Sequence, residues 1–310
     1  MIQKIVQAFT ALLILIITFF CVAEAQNTDD AYRINRFDTS QNPKVFIKTT
    51  GGSIDVVGHD ENFVEVQMFV RRGNRTLSPS DTDLSGFDIT IQYSDDQVTA
   101  EARAKGSSFF RSVNRMSVSF RVLTPTGSDV HGETSGGSVS ANHLYNRVNL
   151  KTSGGSVRGT YLEGDVKLQT SGGTITLEGI SGNVQARTSG GSIRVNGLEG
   201  TAELRTSGGS IQLEEISARL SARTSGGSIR GGFNVFYDDV ELQTSGGNIT
   251  IDIPETEHLE IDLRGNRVNT RLQNFSGVVE RNYVRGKIGN GGPLMSARTS
   301  GGSVTLRYHP

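Results

Sequence analysis

The sequence predicts an all-β protein: a parallel β-solenoid (a right-handed β-helix or β-roll) of rungs about 18 residues long, with an N-terminal β-rich cap. Three observations predict it. The string Thr-Ser-Gly-Gly begins at Thr134, Thr152, Thr170, Thr188, Thr206 and Thr224 with a constant spacing of 18, then recurs at Thr244 and Thr299 after gaps of 20 and 55. A fixed period over six starts is the mark of a repeat architecture. Within a period, apolar residues alternate by two, as in strands with one buried face. Glycine is plentiful, 38 residues against 6 prolines in a chain of 310, and it recurs at the same places in each period.

Residues 1–25 read as a secretory signal peptide. Lys4 gives the positive start, an apolar run is densest from Ala11 to Phe20, and Ala23-Glu24-Ala25 fits small-x-small cleavage between Ala25 and Gln26. Cleavage would remove the only cysteine, Cys21, and export the rest to the periplasm, the cell surface or the medium. Contact with a membrane is then expected only through that segment, if it stays uncleaved.

Residues 26–132 are expected to form the β-rich cap. Thr49-Thr50-Gly51-Gly52-Ser53-Ile54 repeats the corner motif, and the apolar residues around it mark a rung-like segment near 45–57. Strand-like runs follow at 64–70, 87–93, 98–104 and 116–122, with Ser94-Asp95-Asp96-Gln97 as a hairpin turn. Such a cap blocks the open edge of a stack.

Residues 133–310 carry the solenoid repeats. The period 189–206 reads SGGSIRVNG then LEGTAELRT, two strands and two corners. Stacking the periods aligns Val139, Val157, Ile175, Ile193, Ile211, Ile229, Ile249 and Val304 in one inward column. Others hold Val148, Val166, Val184, Ala202, Leu220 and Val240, and Leu150, Leu168, Ala186, Leu204, Ala222, Leu242 and Ala297. A corner column holds Leu144, Leu162, Ile180, Leu198, Ile216 and Phe236. Turns of chain laid one on another make a parallel solenoid with rungs about 4.8 Å apart and right-handed crossovers. The recurring threonine shares inward parity, so its hydroxyl is expected to bond corner backbone, while the corner glycines are expected to supply positive φ. An irregular insertion is expected near 254–294, with Arg264-Gly265-Asn266-Arg267-Val268 as a decayed rung and 273–293 as a loop or lateral hairpin.

Composition narrows function. A net charge of −1 lacks the basic excess of a nucleic-acid binder. One cysteine excludes a disulfide framework and a Cys-based zinc site. No Asp follows the glycine pairs as calcium-binding nonapeptide rolls require, and no Gly-Lys-Ser/Thr forms a phosphate loop. No catalytic residue, metal ligand or cofactor is expected. Carboxylates such as Glu163, Asp165, Glu178 and Glu203 fall on different columns, and Asp238-Asp239 is the densest pair. The remaining signal is an outward basic column of Lys151, Arg187, Arg205, Arg223 and Arg298, with Gln169 and Gln243 in the other places and Glu203 and Glu241 near it. Guanidinium forks suit carboxylate, sulfate or phosphate groups. An anionic envelope polysaccharide or an envelope protein is the expected partner.

With its leader, β-rich N-terminal region and tandem Thr-Ser-Gly-Gly-x-(Ile/Val) rungs, the chain resembles the bacterial putative-adhesin families of unknown function, over about residues 42–306. Leu123-Thr124-Pro125-Thr126-Gly127 before the first regular rung also resembles them, and Gly136 and its equivalents stand where relatives often carry Asn. The resemblance implies an exported, non-catalytic binding or structural element of the cell envelope. The rival is a glycan-active β-helix enzyme, a polysaccharide lyase or hydrolase, which one cleft of converging carboxylates would favour.

Overall fold

The computed structural model describes residues 31–105, 116–256 and 258–308, all in strands and turns. The expected leader, 1–25, lies outside the described residues. The strands in chain order are β1 (Arg33–Asp38), β2 (Lys44–Thr49), β3 (Ile54–His59), β4 (Phe63–Arg72), β5 (Arg75–Leu77), β6 (Phe87–Ser94), β7 (Gln97–Ala104), β8 (Met116–Pro125), β9 (Asp129–Thr134), β10 (Val139–Leu144), β11 (Val148–Lys151) and β12 (Val157–Gln169). They continue with β13 (Ile175–Arg187), β14 (Ile193–Arg205), β15 (Ile211–Arg223), β16 (Ile229–Phe233), β17 (Val240–Thr244), β18 (Ile249–Ile253), β19 (His258–Arg264), β20 (Arg267–Thr270), β21 (Phe275–Val279), β22 (Tyr283–Gly289), β23 (Leu294–Thr299) and β24 (Ser303–Tyr308).

The period of 18 is the parallel register. Ile175 lies beside Ile193, Ile193 beside Ile211, and Ala186 beside Leu204. The 13-residue strands β12–β15 each run along one face of the solenoid, bend, and continue along the other. The bend residues form a column with left-handed φ: His143 (53°), Tyr161 (49°), Gly179 (62°), Gly197 (73°) and Glu215 (55°). The inward columns are buried throughout, with Val139, Val157, Ile175, Ile193, Ile211, Ile229, Ile249 and Val304 at most 1% exposed. The corner column differs at one rung. Phe233, not Phe236, takes the place beside Ile216. Two extra residues in this rung move Phe236 outward, where it stacks on Phe233 at 5.3 Å between ring centroids.

The Thr-Ser-Gly-Gly corner works differently from a positive-φ turn. None of its glycines lies among the positive-φ residues. The second glycine is required instead by close approach: a Cβ on Gly155, Gly173, Gly191 or Gly209 would lie within 1.8–2.1 Å of the carbonyl oxygen of the same glycine one rung earlier. The threonine locks this approach. Thr206 Oγ1 donates to Gly191 O at 2.7 Å and accepts from Gly209 N at 3.3 Å. The same pair of bonds recurs at Thr152, Thr170, Thr188, Thr224, Thr244 and Thr299. Each hydroxyl thus satisfies backbone groups that the corner would leave unpaired.

At both ends, rung order in space departs from order in sequence. On one face β2 is flanked by β7 and β9, and on the other β3 is flanked by β8 and β10. The β2–β3 rung therefore sits between the β7–β8 rung and the β9–β10 rung. The C-terminal end mirrors this. β23 lies between β17 and β19, and β24 lies between β18 and β20. The motif at Thr299, 55 residues beyond Thr244, thus packs directly on it, and Thr299 Oγ1 donates to Gly247 O at 2.8 Å. The 264–268 stretch is the corner between β19 and β20, and 273–293 contains the β21–β22 hairpin.

Antiparallel strands close most of the edges. β4 covers β8 and is covered by β1, and β6 covers β7. Asp95 and Asp96, with φ of 51° and 55°, make the tight β6–β7 turn. β22 covers β19, and β21 covers β22. β20 pairs with β24 on one side.

Candidate functional site

The face carrying β11, β17, β23 and the second halves of β12–β15 positions the basic column. Register places Lys151 beside Gln169, Gln169 beside Arg187, Arg187 beside Arg205, Arg205 beside Arg223, Arg223 beside Gln243, and Gln243 beside Arg298. Strand alternation turns all of them outward. The structure therefore brings the five expected residues into one ladder, including Arg298, which sequence distance separates from the rest. The ladder extends past the expected set: β19 adds Arg264 beside Arg298.

The ladder is paired with acids. Glu133 takes Lys48 at 3.2 Å and Lys151 at 3.4 Å. The Lys48 hydrogen bond outweighs partial burial, and with the Lys151 charge it holds the Glu133 carboxyl below its ordinary value. Glu203 serves both Arg187, at 3.1 Å, and Arg205. Glu241 pairs with Arg223. Asp262, 7% exposed, accepts from Arg264 at 2.9 Å and Arg298 at 3.2 Å. Burial pushes the Asp262 carboxyl up, but the two guanidiniums outweigh it and hold the group below the usual carboxylate range. Glu203 and Glu241 were visible as neighbours in the repeat. Glu133, 18 residues before Lys151, was legible by the same spacing, whereas Asp262 lies where the period is lost.

These pairs do not exhaust the ladder. Arg187, Arg205 and Arg223 share two carboxylates, and each guanidinium has five N–H donors. Between the arginines and the serines of the corner motif runs a shallow groove of about 390 Å³, lined by Arg187, Arg205, Arg223, Ser207, Ser225 and Ser245 among others. A second, broader groove of about 1020 Å³ crosses the same face over Asp165, Lys167, Glu203, Arg219 and Glu241. Its titratable groups are largely paired: Arg147 with Asp129 at 3.1 Å, Arg219 with Asp238 at 2.9 Å. The Asp238-Asp239 pair is divided, since Asp239 accepts the Leu294 N–H at 2.9 Å. Among the described residues no group of three or more His, Cys, Asp or Glu could hold a metal ion. His131 stacks on Phe46 at 5.1 Å and bonds Asn149, and burial lowers its pKa.

A stack of parallel rungs with swapped end rungs and a polar outer ladder defines a β-solenoid. The chain belongs to the Toastrack DUF4097 family, which it matches over residues 22–307. Among solved structures it is similar to a putative cell adhesion protein from Clostridium sporogenes (8% identity, 89% of this chain and 99% of that one, TM-score 0.24). It is similar also to a putative adhesin from Bacteroides fragilis (13% identity, 89% and 96% covered, TM-score 0.42). A putative lipid binding protein from Parabacteroides distasonis gives the same figures, 13%, 89%, 96% and 0.42. No curated protein matches the sequence.

Proposed function

We propose that this chain is an exported, non-catalytic binding or structural element of the bacterial cell envelope, and that its arginine ladder holds an anionic envelope polymer. The observation that carries the reading is the groove beside Arg187, Arg205 and Arg223, where three guanidiniums share two carboxylates and a row of serine hydroxyls runs alongside. Donors repeating at the rung spacing of about 4.8 Å match a polymer with repeating acidic groups. Each exposed contact contributes little, and several on one chain add through multivalency. The separation of Asp238 from Asp239 by different partners supports the non-catalytic reading over a glycan-active enzyme.

The test is retention of the protein on immobilised polygalacturonate at low salt. Wild type should be retained and should elute as salt rises. The triple change Arg187→Gln, Arg205→Gln and Arg223→Gln should leave the fold intact, because Gln169 and Gln243 already occupy this column, and should abolish retention. Equal retention of the two proteins, or none by wild type, overturns the proposal. Cell fractionation with surface protease shaving tests the export.

A further inference from the structure

We propose a second binding site, independent of the ladder: the outer edge of β20 accepts an extended acidic segment of a partner polypeptide by strand addition. Among the described residues β20 pairs with β24 alone, so it is the terminal strand of its face. Its outer side is only partly occupied. The Val268 N–H bonds Arg281 O at 2.8 Å, and no described strand lies alongside Thr270. Backbone groups of alternate residues point the same way, so Thr270 directs its N–H and C=O toward the open side along with Val268. An open edge of this kind is a template for another strand.

The surroundings specify the occupant. A groove of about 900 Å³ lies along this edge, lined by Arg267, Val268, Thr270, Arg271, Arg281 and Tyr308 among others. Arg267, Arg271 and Arg281 are exposed, and among the described residues none of the three has an ion pair, in contrast to the acid-matched ladder on the other face. Val268 and Thr270 stand beside the buried Val304 and Leu306, so this parity of β20 faces the core. Arg267 has the opposite parity and faces out. A strand laid against β20 would thus meet an apolar flank on one side, at Val268 and Thr270, and free guanidiniums on the other. Acidic residues alternating with apolar ones satisfy both sides, and main-chain pairing favours a polypeptide over a polysaccharide.

The probe is a fluorescein-labelled (Glu-Val)4 peptide, read by anisotropy against the full chain at low salt. Binding is expected, with at least a tenfold loss when Arg267, Arg271 and Arg281 are all changed to Ser, and no loss in the Arg187→Gln, Arg205→Gln, Arg223→Gln variant. The same peptide N-methylated at alternate amides keeps its charge and loses its main-chain donors. It should bind wild type at least tenfold more weakly, which keeps the test valid even if the serine variant fails to fold. Oligogalacturonate should not compete. Absence of peptide binding, equal binding of the N-methylated peptide, competition by oligogalacturonate, or an unchanged affinity in a folded serine variant each overturns the proposal.

Discussion

Replacing Gly191 by Ala should destabilise the solenoid severely, while the same change one residue earlier, Gly190→Ala, should not. A Cβ at Gly191 would lie 1.8 Å from Gly173 O and 2.4 Å from Gly173 C. Real contacts essentially never fall below 3.0 Å, so adjacent rungs must separate locally by more than 1 Å. The atom in the way is backbone, and no side-chain rotation relieves it. Separation strains the Thr188 Oγ1 to Gly173 O bond (3.0 Å), the Gly191 N to Thr188 Oγ1 bond (3.3 Å) and the Thr206 Oγ1 to Gly191 O bond (2.7 Å). Overpacking costs about 1–3 kcal/mol and each of the three hydrogen bonds about 1 kcal/mol, so a loss of roughly 4–6 kcal/mol is expected. At Gly190 the nearest atoms to an added Cβ are 3.6–3.8 Å away. There the alanine meets ordinary contacts and restricts the unfolded chain, a change of about +0.4 to +1 kcal/mol. Urea unfolding followed by far-UV circular dichroism measures both. Equal midpoints for the two variants would refute the close-approach account of this corner.

Other consequences are open to measurement. Thr206→Val keeps the shape but removes a donor to Gly191 O and an acceptor for Gly209 N, so unfolding free energy should fall by about 1–3 kcal/mol in the same assay. Deleting residues 189–206 joins Thr188 to Ser207 in register and should leave a folded, shorter protein. Deleting nine residues instead joins unlike halves and should abolish cooperative melting. Asp262 has a folded pKa below its unfolded one, so its contribution to stability is present above the ordinary carboxylate range and lost as pH falls through the folded value. Asp262→Asn should cost about 1.5–3 kcal/mol at neutral pH, and its melting temperature should drop less than that of wild type on acidification.

The regular rungs were legible because their side chains repeat at the interval that the backbone repeats. Ile175, Ile193 and Ile211 align in sequence and in space alike. The swapped end rungs were not legible. Thr49 and Thr299 carry the motif, but a local pattern says that a rung exists and not which rung it packs on; long-range pairing decides that. The corner glycines divide into two kinds that abundance alone does not separate: Gly164, Gly179, Gly182, Gly197 and Gly200 supply the expected positive φ, whereas the second glycine of each Thr-Ser-Gly-Gly is required by close approach, as the 1.8–2.1 Å clearances show. Phe236 lost its place to Phe233 because a two-residue insertion shifts register within a rung. At the candidate site the basic column could be read by period, and so could Glu203 and Glu241. Asp262 could not, because it reaches Arg298 through the aperiodic strand β19.

The most direct measurement compares two charge-matched variants in binding polygalacturonate at low salt. One changes Arg187, Arg205 and Arg223 to Gln on the ladder face; the other changes Arg158, Arg194 and Arg230 to Gln on the opposite face, where Arg194 contacts Gln212 rather than an acid. Both remove three positive charges from exposed or half-buried positions. If the ladder and its serine-lined groove form the binding surface, the first variant loses affinity at least tenfold and the second stays within about twofold of wild type. Equal losses in both would mean that net charge alone governs binding, and would contradict a built site on the ladder face.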